Sequence, residues 1–242
     1  MIQKPNLLRI SDYPINEHIA VHVPTVEEIF DYGDLKYYNI VQMLTATPFD
    51  LMVELDDIGL DYEKISDYQL FLLMMDSIAV NEENTGILFG DLNLRDFHEI
   101  VHPKNGERVL LNENDGTVID QMIALEICNA IRKIHFWNAP VGKAGNAEAK
   151  AYLIQRNRLK KQRLAKKPYQ SFLENIIIGL VNTEEFKYDY ESVMSLSVYK
   201  LNASWRQIQK KKHWEQTMNG AYFGTVDLSK LDLEKLNWLS PN

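Results

Sequence analysis

Apolar side chains at Ile119, Met122, Ile123, Ile127, Ala130, Ile131 and Ile134 recur at steps of three and four residues. A strand would scatter them over both of its faces, whereas a helix gathers them into one stripe that must be buried. The same period runs through Val26, Ile29, Phe30, Tyr37, Ile40 and Leu44, with Gly33 as a kink. It returns at Met194, Val198, Leu201, Trp205 and Ile208. Residues 172–181 (FLENIIIGLV) are apolar nearly all round and read as a buried helix. The starts are marked as well. Thr25 with Glu28, and Ser66 with Gln69, are capping boxes, in which each side chain satisfies the other residue's backbone N–H. Ser171 and Glu174 repeat the signal. Pro48 opens a short helix through Leu55, and the helical pattern of the 119–134 stripe sets in at Thr117. A long polar helix covers 147–165, and Pro168 ends it by excluding the helical conformation from the residue before it.

Strand signals are few. Residues 19–23 alternate apolar and polar side chains, and 86–90 (GILFG) read as a strand. Residues 97–102 and 108–112 flank Lys104-Asn105-Gly106, and Asn-Gly is a strong hairpin turn. The expected fold is therefore α+β, mainly α-helical, with a small antiparallel β-sheet or hairpin near residues 86–113. The strand near residue 20 is a candidate further member of that sheet.

Charge divides the chain. Residues 1–130 hold 7 Lys+Arg against 24 Asp+Glu, and residues 131–242 hold 19 against 10. The sign changes close to residues 138–146 (NAPVGKAGN), the best linker by its proline and glycines. The expected organisation is an acidic α+β unit over 1–137 and a basic helical unit over 147–242, packed as one domain or as two. A split of this kind bears on partners and self-contact more than on fold. Opposite charges are expected to meet, within one chain or head-to-tail between copies. The longest apolar runs, 70–75 and 176–181, fall far short of the roughly 20 residues a membrane span requires. The first residues lack the apolar core of an export signal, so an intracellular location is expected. The single cysteine, Cys128, has no partner for an internal disulfide and reads as a packed thiol in a reducing compartment.

One string looks like chemistry. His98-Glu99-Ile-Val-His102 is formally H-E-x-x-H, which on a helix would present two zinc ligands and a general base. Pro103 and the Asn105-Gly106 turn place it instead in a hairpin. There the two imidazoles would stand roughly 13 Å apart at ~3.3 Å per residue. His18, His22, His135 and His213 have no metal-ligand spacing. No nucleophile elbow, P-loop or dinucleotide fingerprint is present. Asp56, Asp57 and Asp61 lack the glycine and terminal glutamate of a calcium loop and read as solvated acidic surface. The densest basic stretch, 156–167, carries Arg156, Arg158, Lys160, Lys161, Arg163, Lys166 and Lys167 with no acid. These seven are the candidate partner-binding residues, beside a thin apolar seam of Tyr152, Leu159, Leu153 and Leu164. A phosphate-binding reading would add Lys210, Lys211 and Lys212 with Trp214 as a stacking ring. The acidic balance of the whole chain argues against nucleic acid.

The order of segments carries a resemblance. Residues 19–33 (IAVHVPTVEEIFDYG), 87–94 (ILFGDLNL), 168–182, 186–192 (FKYDYES), 219–227 and the closing Leu236-Asn-Trp-Leu are its markers. On these the chain resembles a family from tailed phages and prophages of Gram-positive bacteria, sited among tail-morphogenesis genes. That family is similar to tail assembly chaperones in size, acidity and helix content. The resemblance implies a non-enzymatic role in tail building, with no cofactor. It implies binding to another tail protein such as the tape measure, a possible homo-oligomer, and a place in the host cytoplasm or the virion. It transfers no functional residue. The alternatives are a nucleic-acid-associated phage protein using the basic helix and, least favoured, a zinc hydrolase using His98, Glu99 and His102.

Overall fold

The computed structural model describes residues 5–102 and 106–240. Strands β1 (Asp12–Pro14) and β2 (Ala20–His22) form an antiparallel ribbon with Tyr13 opposite Val21. Helix α1 (Val26–Tyr32) starts at the expected capping box. The Thr25 hydroxyl accepts the Glu28 N–H at 3.2 Å, and the Glu28 carboxylate accepts the Thr25 N–H at 2.7 Å. Gly33 does more than kink one helix. Its φ of +95° ends α1 and opens a second helix, α2 (Asp34–Thr45). Helix α3 (Met52–Asp57) begins later than Pro48, because the Asp50 carboxylate accepts the Thr47 N–H at 2.9 Å and closes a turn first. Helix α4 (Asp67–Val80) starts at the Ser66–Gln69 box.

The strand expected over 86–90 is instead a short helix, α5 (Gly86–Phe89). Leu88 and Phe89 are neighbours in sequence and both buried, whereas strand alternation would turn one of them outward. Their N–H groups both reach the Thr85 carbonyl, and Gly90 at φ +59° stops the turn. The sheet therefore begins at β3 (Phe97–Val101), which pairs with β4 (Arg108–Asn112) in the expected hairpin, Glu99 opposite Leu110. Its turn residues 103–105 lie outside the described residues, but His102 and Glu107 close the hairpin at 2.7 Å. A third strand, β5 (Val118–Ile119), takes the residues expected to begin the next helix. Helix α6 (Gln121–His135) starts only after Asp120, whose carboxylate accepts the Ile123 N–H at 2.8 Å. The ribbon near residue 20 does not join this sheet.

Irregular chain over 138–146 leads to α7 (Ala147–Ala165) and α8 (Phe172–Val181). A 3-10 turn at Ser192–Ser195 holds Met194, so α9 (Val198–Tyr222) starts one turn later than its apolar pattern. A short helix, α10 (Leu233–Leu236), closes the chain. The fold is α+β and mainly helical.

One apolar core serves both charge units. Val21, Ile29, Ile40, Leu110 and Ile127 pack in the same cluster as Leu173, Ile177, Val193 and Leu201. Each such side chain contributes about 1.5–3 kcal/mol when fully buried. Backbone hydrogen bonds fasten the join: Val198 N–H to the Pro24 carbonyl at 2.8 Å, and Val26 N–H to the Leu196 carbonyl at 2.9 Å. Cys128 is packed as expected. Its thiol points to the Leu44 carbonyl at 2.9 Å, and burial pushes its pKa up to about 11. A second, smaller cluster gathers Met52, Val53, Leu55, Tyr62 and Leu70 with a single buried residue of α7, Ile154.

Candidate functional site

Helix α7 forms because its interior holds straight-chain helix formers and alanines, with Asn146 capping the Ala149 N–H at 2.8 Å. At 100° per residue its side chains divide into two faces. The inner face carries Ile154 and Leu153 onto the second cluster. It also brings cations onto the acids of the first half. Arg158 donates to Asp56 at 2.8 Å and Asp57 at 2.5 Å, and Lys161 pairs with Glu54. Lys150 pairs with Asp61 and reaches Glu63 at 3.2 Å. The hydrogen bond from Lys150 lowers the Asp61 pKa, and the same bond raises that of Lys150. The Ala144 N–H lowers the Glu63 pKa most, ahead of Lys150. The chain preceding α7 is held as well: the Thr47 hydroxyl donates to the Pro140 carbonyl at 2.9 Å, and Ala144 N–H to Glu63 at 2.8 Å.

Two expectations change here. Asp56, Asp57 and Asp61 are not free acidic surface but the counter-charges of α7. Of the expected apolar seam only Leu153 packs inward, while Tyr152, Leu159 and Leu164 are exposed. The opposite charges of the two halves do meet, and they meet within one chain.

The outer face of α7 and the two residues that follow it are the remaining surface. Arg156, Lys160, Arg163, Lys166 and Lys167 are exposed, and none has an ion-pair partner among the described residues. Tyr152, at 65 % exposure, and Leu159 lie among them. The seven candidate residues are thus split: Arg158 and Lys161 serve the fold, and the other five face outward. Helical spacing sorts these cations once Ile154 is known to be buried, because Arg158 and Lys161, with Lys150, fall on its face.

Elsewhere, His98 and His102 lie on and just beyond β3, not on a helix, and Glu99 is held by Arg108 across the hairpin. Among the described residues no group of three or more His, Cys, Asp or Glu side chains could hold a metal ion. Of the Lys210–Lys212 run, Lys211 and Lys212 pair with Glu185 at 3.8 and 3.5 Å. Among the described residues no helix is long and apolar enough to cross a membrane.

After α7 the chain takes a distinctive path: α8 and the first turns of α9 enter the core, and the tail then folds back along α9. Thr225 and Val226 N–H groups turn onto the Gly220 carbonyl, and Gln207 donates to the Trp238 carbonyl at 2.7 Å. Residues 165–241 match the family model described as the YomV second domain. This is a family of Bacillus phage and prophage type, and the match associates the chain with phage. The YomV-like segment begins at the last residue of α7 and takes in α8, α9 and the returning tail. It therefore includes Lys166 and Lys167, just past the helix end, but not Arg156, Lys160 or Arg163 on the outer face of α7. No curated protein and no solved structure matches the chain.

Proposed function

We propose that this protein is a non-enzymatic phage tail-morphogenesis factor that binds another tail protein through the outer face of α7, acting as an assembly chaperone or minor structural component. The observation that carries the reading is the division of α7. Its inner cations are held by Glu54, Asp56, Asp57 and Asp61, while Arg156, Lys160 and Arg163 face outward around Tyr152 and Leu159, with Lys166 and Lys167 exposed just past the helix end. A basic stripe with an aromatic and an aliphatic anchor fits an acidic, amphipathic helix. Charge would set orientation and encounter rate, and the anchors would supply buried area. The YomV-like segment supports the phage setting. A long helical client such as the tape measure exposes apolar seams that aggregate until covered.

Co-expression with a tape measure fragment of the same phage tests this. The fragment should remain soluble beside the wild-type chain and precipitate beside Arg156→Glu/Lys160→Glu/Arg163→Glu, a variant that spares the internal pairs. A fragment equally insoluble with and without the protein would remove the chaperone reading. Fixed-copy detection in purified virions would favour the structural component. Salt-sensitive DNA binding lost in the same variant would favour a nucleic-acid role instead.

A further inference from the structure

A cleft of about 620 Å³ opens between the end of α6, the start of α8 and the middle of α9, apart from the surface of α7. That volume lies in the range of small-ligand sites, roughly 300–1,000 Å³. Its walls are aromatic. Tyr38 stacks on one face of Trp137, with 6.3 Å between centroids and 23° between planes, and Trp137 remains 38 % exposed. Phe172 meets Trp205 edge-on at 5.9 Å and is 55 % exposed. Asn202 lines the same cleft at 8 % exposure, and its amide has no hydrogen-bond partner among the described residues. The amide is open to the cleft rather than sealed from solvent, so a ligand edge can take the place of water on it. Arg206 and His213 follow Asn202 along α9 and line the cleft, and no carboxylate among the described residues does. The Arg206 guanidinium rests on the Phe136 ring at 4.9 Å, which fixes where its charge lies.

The site thus asks for three properties in one ligand: a flat ring, a hydrogen-bonding edge and negative charge. A phenyl or indole side chain has the ring but little edge for an amide, whereas every nucleobase has both, and Asn pairs well with an adenine edge. We propose that this cleft binds a nucleotide, its base against Trp137 and Phe172 with an edge on Asn202, and its phosphate toward Arg206 and His213. A free mononucleotide and a nucleotide of a single strand share that chemistry.

The full chain is titrated by calorimetry with AMP, ATP, a short oligothymidylate, inorganic triphosphate and an acidic tripeptide centred on tryptophan. The indole N–H resonances of Trp137 and Trp205 are followed alongside, assigned through their Phe variants. Saturable nucleotide binding that moves both resonances is expected, weakened roughly tenfold by Arg206→Glu and by Phe172→Ala. Both replaced side chains are exposed, and circular dichroism checks the fold. Binding by AMP or ATP identifies a free nucleotide, and binding by the oligothymidylate alone identifies a strand. Triphosphate binding as tightly as ATP, indifferent to Phe172, would reduce the cleft to a general anion site and overturn the proposal. Binding of the tripeptide alone, or of no probe at millimolar concentration, overturns it too.

Discussion

The Tyr37 hydroxyl donates a 2.6 Å hydrogen bond to His135 Nε2, joining α2 to the last turn of α6 inside the core. His135 Nδ1–H donates in turn to the Ile131 carbonyl at 2.8 Å, so the ring is neutral and both nitrogens are satisfied. Burial drives the His135 pKa down from 6.5 to about 4. The unfolded chain takes up this proton near pH 6.5, and the folded chain only near 4. The resulting stability is full above pH 6.5 and is lost as pH falls toward 4. The loss should be roughly 3 kcal/mol from this group, at 1.36 kcal/mol per pH unit. Denaturant unfolding across that window should show the slope, and a His135→Gln variant should flatten it.

Removing the donor tests the same pair from the other side. Tyr37→Phe keeps the packing but leaves Nε2 buried without a partner, which should cost about 1–3 kcal/mol. Chemical denaturation at pH 8, where the histidine stays neutral, measures this apart from protonation. An unchanged midpoint would show that the bond contributes nothing.

Gly142 lies where an added Cβ would run into the Phe49 ring. Gly142→Val should push that ring off the Tyr62 edge it meets at 6.1 Å and cost about 1–3 kcal/mol by overpacking. Thermal unfolding reads the cost, and a neutral result would mean that the 138–146 segment can move aside.

Ile177 is buried in the shared core, so Ile177→Ala should lose about 2–5 kcal/mol. The loss should appear in one cooperative transition, because α8 packs in the same cluster as β2, α2 and α6. Two separated transitions by calorimetry would show that the charge units unfold independently.

The helices were legible because their caps and apolar stripes are local signals: Thr25, Ser66 and Ser171 each sit at the expected start. The pairing of Phe97–Val101 with Arg108–Asn112 followed from the Asn-Gly pair between them in the sequence. A four-residue apolar run such as Gly86–Phe89 has no period to distinguish strand from helix, and only the burial of both Leu88 and Phe89 decides it. The inward and outward halves of the basic stretch could be separated only once Ile154 was known to be buried. The aromatic cleft left no sequence signal, since Trp137, Phe172 and Trp205 come from three helices or their ends and meet only through packing. Arg132 is the same kind of case. Its guanidinium is buried and donates to the Thr45 carbonyl at 3.1 and 2.6 Å, a role no spacing announces.

Helix α7 rests on little apolar contact, Ile154 and part of Leu153, and on charge pairs that water reaches. Surface pairs are weak singly and are screened by salt within about 10 Å at 0.1 M. The core of the molecule rests on apolar burial rather than on ion pairs. Amide exchange should therefore find α7 opening as a unit of its own, faster at high ionic strength, while α6 and α8 stay protected. The helix is in effect a latch held by counter-ions, one that salt loosens from Glu54, Asp56 and Asp57 while the core beneath stays folded.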